Sequence, residues 1–271
     1  AVQLPHDNIS ATADITAAVG HAAQVMVVSP AKHLANTLSR LDAQALQGKS
    51  ITTAIKGLES SSGQSVQAYF ESQFGVSLQD YSAILGPGRA EELAQQQLTY
   101  LTAVSSNAAL RKRLKDLLSS SYVRVSESED VAGAELAAVL KNVYAIACGI
   151  ADGLGYGDNF QSILVSAAAR EMDDVLELRL PLERNIGEAI YLGDLLVTAY
   201  SQHSRNRRLG YGVGQGTPAE EQGMVAEGYH SVRQLVEVHA YEAPIVSAVY
   251  RILHAEADAR QTFRTLEAAL R

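Results

Sequence analysis

Lys141 stands in the run GAELAAVLKNVYAIACGIADGLGYGDN at residues 133–159, and between Val131 and Ala151 the only charged side chains are Glu135 and Lys141 itself. A lysine in such a run either snorkels to water along its stem or sits where its charge is wanted. On a helix its neighbours at i−4, i−3, i+4 and i+7 are Ala137, Ala138, Ala145 and Cys148. These are small, so another element or a ligand can approach the backbone closely. Taken alone, the segment more often means a lysine at a helix–solvent boundary. Lys56 falls just past the carboxyl end of a strand-like run, where open α/β sheets bind ligands, and a solvated turn lysine explains it equally well. Asp194 and Thr198 are four apart and share a helix face. Ser204, Arg205 and Asn206 follow at that helix's end and offer a fork of donors suited to a phosphate. The plain alternative there is a helix ending in a basic cap, which is the reading for Arg207 and Arg208. Glu227, before Gly228, reads as a helix C-terminal residue with a glycine stop, where a carboxylate opposes the helix dipole and so hints at another job. His203 and His230 have no metal-ligand spacing with any Cys, Asp or Glu cluster, so no metal site is expected.

The elements that must position these groups change character along the chain. Residues 23–28 (AQVMVV), 50–54, 81–85, 98–105 and 122–126 read as strands. Helical patterns at 34–46, 65–74 and 107–118 lie among them. Strands separated by helices indicate a mainly parallel, doubly wound sheet. After about residue 130 the pattern is helical throughout: 131–153, 159–178, 185–199, 217–228, 232–238, 243–254 and a last segment near 258–270. Leu136, Leu140, Val143, Ala147 and Ile150 form an apolar stripe on the first of these. The expected plan is therefore an α/β domain over residues 1–130 and an all-helical domain over 131–271, with the cleft between them as the place for a ligand.

The glycine-rich runs at 153–157 and 210–216 do not follow strands, so they read as tight loops rather than phosphate cradles, and no G-x-G-x-x-G fingerprint follows a strand. The formal charge of −8 argues against a general nucleic-acid binder. The single cysteine, Cys148, lies inside the apolar helix and reads as a buried, inert thiol in a reducing compartment. No uninterrupted apolar run reaches membrane-spanning length, and the N-terminus lacks a signal pattern, so a cytoplasmic protein without membrane insertion is expected.

Several of these segments, in order, resemble the soluble bacterial NAD(P)-dependent sn-glycerol-3-phosphate dehydrogenases. The strongest pieces are Gly133-Ala134-Glu135-Leu136 through Leu140-Lys141-Asn142, then the stretch from Gly149 to Gly155 with Gly157-Asp158-Asn159. Ser204 to Arg208 with Gly214-Gln215-Gly216, and Glu227-Gly228, complete the set, and the resemblance runs from about Leu4 to the C-terminus. It implies a Rossmann-type parallel-sheet domain, incomplete at its N-terminus, followed by an all-helical domain of the 6-phosphogluconate-dehydrogenase-like type. It also implies interconversion of dihydroxyacetone phosphate and glycerol 3-phosphate with NAD or NADP, feeding glycerophospholipid synthesis, in a homodimer. By resemblance Lys141 is the general acid/base, while Lys56, Gly86, Gly88, Asn142, Asp194, Thr198, Ser204, Arg205 and Asn206 join it around the substrate. Ser29, Lys56, Ala90, Arg205, Val225 and Glu227 match cofactor-contacting positions.

Two departures qualify the match. Gly88 stands where the family usually has a hydroxyl residue after Gly-Pro. The family's first strand, glycine fingerprint and second strand, a portion of roughly 30 or more residues, have no counterpart here, and the expectation is a sequence incomplete at its N-terminus. If the resemblance holds, the lysine types follow from the chemistry: reducing a ketone builds negative charge on its oxygen, which a positioned ammonium stabilises and then protonates. Lys56 and Arg205 should push the Lys141 pKa down and Asp194 should oppose them. Two alternatives stand beside this reading, a related two-domain dehydrogenase of another hydroxy acid or of ketopantoate, and a truncated, catalytically silent binder of a phosphate ligand.

Overall fold

A computed structural model describes residues 9–223 and 226–270. Among the described residues five strands, β1 (Gln24–Val27), β2 (Ser50–Thr53), β3 (Tyr81–Leu85), β4 (Thr99–Val104) and β5 (Val123–Ser128), lie side by side in that order. Neighbours are parallel except β3 and β4, which are antiparallel. Ile51, Tyr81, Ala83 and Leu85 are essentially inaccessible, as expected where helices cover both faces of a sheet. In this sheet β1 is at the edge, and Met26 within it and Val28 just after it are exposed. Three helices of this half begin at side-chain caps: Asp14 for α1 (Ile15–His21), Ser65 for α3 (Val66–Phe74) and Asn107 for α5 (Ala108–Leu118). The helix expected at 34–46 is much shorter. A 3-10 turn (Ala31–His33) leads into α2 (Leu34–Leu38), and turns follow. Ser39 Oγ donates to the Asn36 carbonyl at 2.9 Å and Asp42 Oδ1 accepts from Gln44 N at 2.8 Å, local bonds that compete with helix continuation. The short α4 (Ala90–Ala94) joins β3 to β4.

From residue 131 the regular elements of the described residues are all helical. The 23-residue α6 (Val131–Gly153) opens at Asp130, whose Oδ1 accepts from Gly133 N at 3.0 Å. It is not the striped helix the spacing predicts, because it is buried on every side. By length and composition it is apolar enough to cross a membrane, yet its apolar window is wholly enclosed by the rest of the protein. Packed around or beyond it are α7 (Asp158–Arg179), a π turn (Ala189–Gly193), α8 (Asp194–Tyr200), α9 (Arg205–Gly214), α10 (Glu227–Glu237), α11 (Pro244–His254) and α12 (Ala259–Ala269).

Three sequence expectations change here. The glycines at 210, 212 and 214 are helical, belonging to α9 rather than to a loop. A Cβ on Gly210 would lie 2.1 Å from the Ile146 carbonyl oxygen, and one on Gly149 would lie 2.0 Å from that of Arg207. Glycine on both helices lets the α6 and α9 backbones touch, which outweighs its poor helix propensity. Arg205 to Arg208 therefore open a helix instead of closing one. In place of the helix expected at 217–228, the described residues form a short 3-10 turn (Ala219–Gln222), Gly223 and Ala226 are not helical, and Glu227 is the first residue of α10. There its charge favours the helix dipole, the reverse of the C-terminal reading.

Candidate active site

Lys141 does not snorkel. It is 4% exposed, and its Nζ donates to Asp194 Oδ1 and, at 3.1 Å, to Thr198 Oγ1. Thr198 Oγ1 itself donates to the Asp194 carbonyl at 2.6 Å, one turn back on α8. The second carboxylate oxygen of Asp194 accepts from Lys56 Nζ at 2.8 Å, and Lys56 also donates to the Gly86 carbonyl at 2.7 Å. Gly86 has φ +107, a conformation that L side chains rarely adopt. One buried carboxylate thus holds two ammoniums, one from the core helix and one from the carboxyl end of β2.

Two further buried acids fix the elements that carry these groups. Asp130 accepts from Arg184 Nε at 2.6 Å and from Tyr191 Oη at 2.8 Å, tying the start of α6 to the π turn that precedes Asp194. Such π turns recur at functional sites, where they re-aim the next residues. Glu135 accepts from Tyr81 Oη, and Tyr81 in turn contacts Thr53 Oγ1 at 2.9 Å, so α6 is pinned to β2 and β3.

The electrostatics follow from burial. Loss of water is the largest influence on Lys141, repulsion from Lys56 adds to it, and attraction to Asp194 offsets only part; its pKa is lowered from 10.5 to about 7. Burial would raise the Asp194 carboxyl, but Lys141 and Lys56 outweigh it and hold that group below its ordinary value. The Cys148 thiol is pushed up to about 12 by burial, consistent with an inert thiol.

Lys141, Lys56 and Asp194 border a cavity of about 270 Å³, which Gly88, Asn142, Thr198, Ser204, Arg205, Asn206 and Glu227 also line. Asn142 and Asn206 are largely used internally. Asn206 Nδ2 donates to Asn142 Oδ1 at 2.8 Å, and Gly228 N donates to Asn206 Oδ1 at 3.0 Å, linking α6, α9 and α10. Ser204 caps α9, its Oγ accepting from Arg207 N at 3.3 Å. Burial raises the Glu227 carboxyl against the pull of Arg205, Lys32 and His33. Ser29 and Ala90 do not line the cavity; Ser29 follows β1 and Ala90 begins α4. Val225 lies outside the described residues. Sequence reasoning missed Arg89, Glu91, Val197, Ser201 and His203, which also line it; Gly88 pointed to the first two, and Asp194, Thr198 and Ser204 flank the others in sequence. A larger groove of about 380 Å³, bordered by α7 and by residues at the start of α11 and the end of α12, gathers no comparable set of cations. Among the described residues no group of His, Cys, Asp and Glu is arranged to hold a metal.

Residues 1–111 match the family model for the NAD-dependent glycerol-3-phosphate dehydrogenase N-terminus, and residues 130–264 match that for its C-terminus. The chain belongs to this family. The NAD(P)+ glycerol-3-phosphate dehydrogenase of Syntrophomonas wolfei is 35% identical over 262 residues, covering 94% of this chain and 76% of the relative. That of Salinibacter ruber is 33% identical over 260 residues, covering 93% and 75%. The crystal structure of glycerol-3-phosphate dehydrogenase from Coxiella burnetii matches with a TM-score of 0.84 at 29% identity, covering 93% of this chain and 79% of that one. D-mandelate dehydrogenase with NADH, at TM-score 0.52 and 13% identity over 86% of this chain and 78% of that one, shares the fold alone. The parallel-sheet domain followed by a helical domain is thus the family's fold.

Proposed function

We propose that this protein interconverts dihydroxyacetone phosphate and sn-glycerol 3-phosphate with NAD(P)H or NAD(P)+, and so feeds glycerophospholipid synthesis. The observation that carries the reading is the buried Lys141 amine, held by Asp194 and Thr198 at the wall of a cation-lined cavity, with its pKa near neutrality. A group with that pKa can both give and take a proton near neutral pH. In the reductive direction, negative charge builds on the ketone oxygen, and the Lys141 ammonium stabilises it and then donates its proton. In the oxidative direction, neutral Lys141 removes the hydroxyl proton. Asp194 keeps the amine in place, and Lys56, on the same carboxylate, adds positive charge beside the developing oxyanion. Arg205, at the start of α9, suits the phosphate, and binding that distant group orients the carbonyl.

Two features at the carboxyl ends of the parallel strands β1 and β2 suit a cofactor. Ser29 Oγ, just after β1, is buried without a hydrogen-bond partner among the described residues, and Lys56 follows the carboxyl end of β2, where parallel sheets take their ligands. Lys56, Arg205, Glu227, Ser29, Ala90 and Val225 are the residues we assign to holding it. NAD(P)H, when bound, supplies the hydride. The domain division at residues 130 and 131, a homodimeric assembly and a cytoplasmic setting belong to the same proposal; the single buried thiol suits a reducing compartment. A spectrophotometric assay with dihydroxyacetone phosphate and each reduced cofactor tests the function. Oxidation of NADH or NADPH that depends on the triose phosphate supports it, and binding of the phosphate without turnover favours the silent binder. Light scattering on the eluted protein tests the dimer.

A further inference from the structure

Around the cavity stand four lysine and arginine side chains, Lys56, Arg89, Lys141 and Arg205, with His203, against three carboxylates, Asp194, Glu91 and Glu227. The partners of these cations differ in how readily they let go. Lys56 and Lys141 share Asp194, which is 2% exposed, so their pairing belongs to the protein's core. Arg89 instead reaches Glu92 at 3.3 Å and Glu91 at 3.5 Å, and these carboxylates are 39% and 72% exposed. Exposed, long ion pairs are the weakest kind, because water competes for both charges. A phosphate dianion offers the same guanidinium two parallel charge-assisted bonds, which are stronger. Arg89 directly follows Gly88, the position that contributes no side chain to the cavity wall. His203 and Glu91 interact electrostatically, so the loop before α9 and the start of α4 face one another at this rim.

We propose that Arg89 is a second guanidinium for the substrate phosphate, leaving Glu91 and Glu92 to join Arg205 when the ligand binds, and that it supplies donors at a rim where Gly88 offers none. The inference rests on the reading of the cavity as a phosphate-ester site. Calorimetric titration of glycerol 3-phosphate into the protein, with and without NADH, separates the two. Arg89→Ala weakens glycerol 3-phosphate binding about tenfold, as loss of a charge-assisted pair does, and raises the KM for dihydroxyacetone phosphate similarly while leaving kcat and the NADH affinity near the parental values. Arg89→Lys, which keeps charge but not the fork, falls between. Arg113→Ala, on the exposed face of α5, removes the same charge away from the cavity and leaves the affinity unchanged. Glycerol 3-phosphate affinity within twofold of the parent in Arg89→Ala, or a loss confined to NADH, overturns the assignment. A parent protein that neither binds glycerol 3-phosphate nor reduces the triose phosphate overturns the underlying reading as well, so the two failures are distinct.

Discussion

Replacing Lys56 by Met removes one of the two ammoniums on Asp194 and should change the titration of Lys141 in a direction that can be worked out. The two amines share one carboxylate and so lie on the order of 5 Å apart, where like charges repel by about 3 kcal/mol at an effective dielectric near 20. Lys56 is 25% exposed along its side chain, and the water that reaches it roughly halves that figure. About 1.5 kcal/mol corresponds to about one pH unit. The Lys141 titration therefore moves from about 7 in the parent to about 8 in Lys56→Met. Asp194→Asn has the opposite sign, because it removes the attraction that holds the proton on, and the titration falls below 7. In triose-phosphate reduction Lys141 must be protonated, so kcat/KM declines as pH rises through its pKa. The assay is kcat/KM for dihydroxyacetone phosphate measured from about pH 5 to about pH 10 in all three proteins, since that ratio reports the free enzyme. The substrate phosphate's own titration is common to the three and cancels in the comparison. Both substitutions lower the absolute rate, but the midpoints carry the test. A Lys56→Met midpoint that stays in place or moves down refutes the reasoning, as does one that rises in Asp194→Asn.

Four other outcomes follow from the same contacts. Lys141→Met cuts kcat by about 10²–10⁴-fold while circular dichroism stays parental, because Asp194 keeps Lys56; full turnover removes Lys141 from the chemistry. Arg205→Ala raises the KM for dihydroxyacetone phosphate by about tenfold or more, and an unchanged KM points to a substrate without a phosphate. Gly210→Ala places a Cβ 2.1 Å from the Ile146 carbonyl oxygen and destabilises the fold by about 1–3 kcal/mol in urea unfolding. Glu171, buried in α7 and accepting from Ile245 N at 2.6 Å and Val246 N at 3.1 Å, has its carboxyl raised by burial from 4.5 to about 7. Between those values the folded chain keeps a proton the unfolded chain has lost, so stability falls as pH rises from about 4.5 to about 7, by on the order of 3 kcal/mol. Glu171→Gln flattens that slope in thermal unfolding measured across the same pH range.

The strands and the core helix were legible because their signals are local: β-branched runs ended by Ser, Pro or Gly, and an apolar run opened by Asp130. The Lys141–Asp194–Thr198 grouping was half legible. The four-residue spacing of Asp194 and Thr198 put them on one face, but nothing in composition says that this face meets Lys141, since contacts 53 and 57 residues apart in sequence depend on packing. The sense of the Lys141 shift and the opposing roles of Lys56 and Asp194 were anticipated from sequence, but burial, which is the largest cause, was not named. Glu227 and the arginines at 205–208 were placed at the wrong ends of their helices. No proline marks Gly223 or Ala226, the non-helical residues described before α10, and the glycines at 210 and 214 look like a helix stop when they are a packing surface.

That packing surface connects the fold to the chemistry. Because Gly149, Gly153, Gly210 and Gly214 let α6 and α9 lie backbone to backbone, Asn206 at the first turn of α9 reaches Asn142, the residue beside Lys141, at 2.8 Å. The same approach sets Arg205 at the rim of the cavity that Lys141 borders. A bulkier residue at any of these glycines would push α9 outward, hydrate the Lys141 amine and raise its pKa toward the ordinary lysine value, since burial is the largest cause of its depression. A milder change at this contact, such as Gly214→Ala, whose Cβ would lie 2.5 Å from the Ile150 carbonyl oxygen, should therefore shift the pH profile upward as well as lower stability. A purely structural role for these glycines would lower stability and leave the profile where it is.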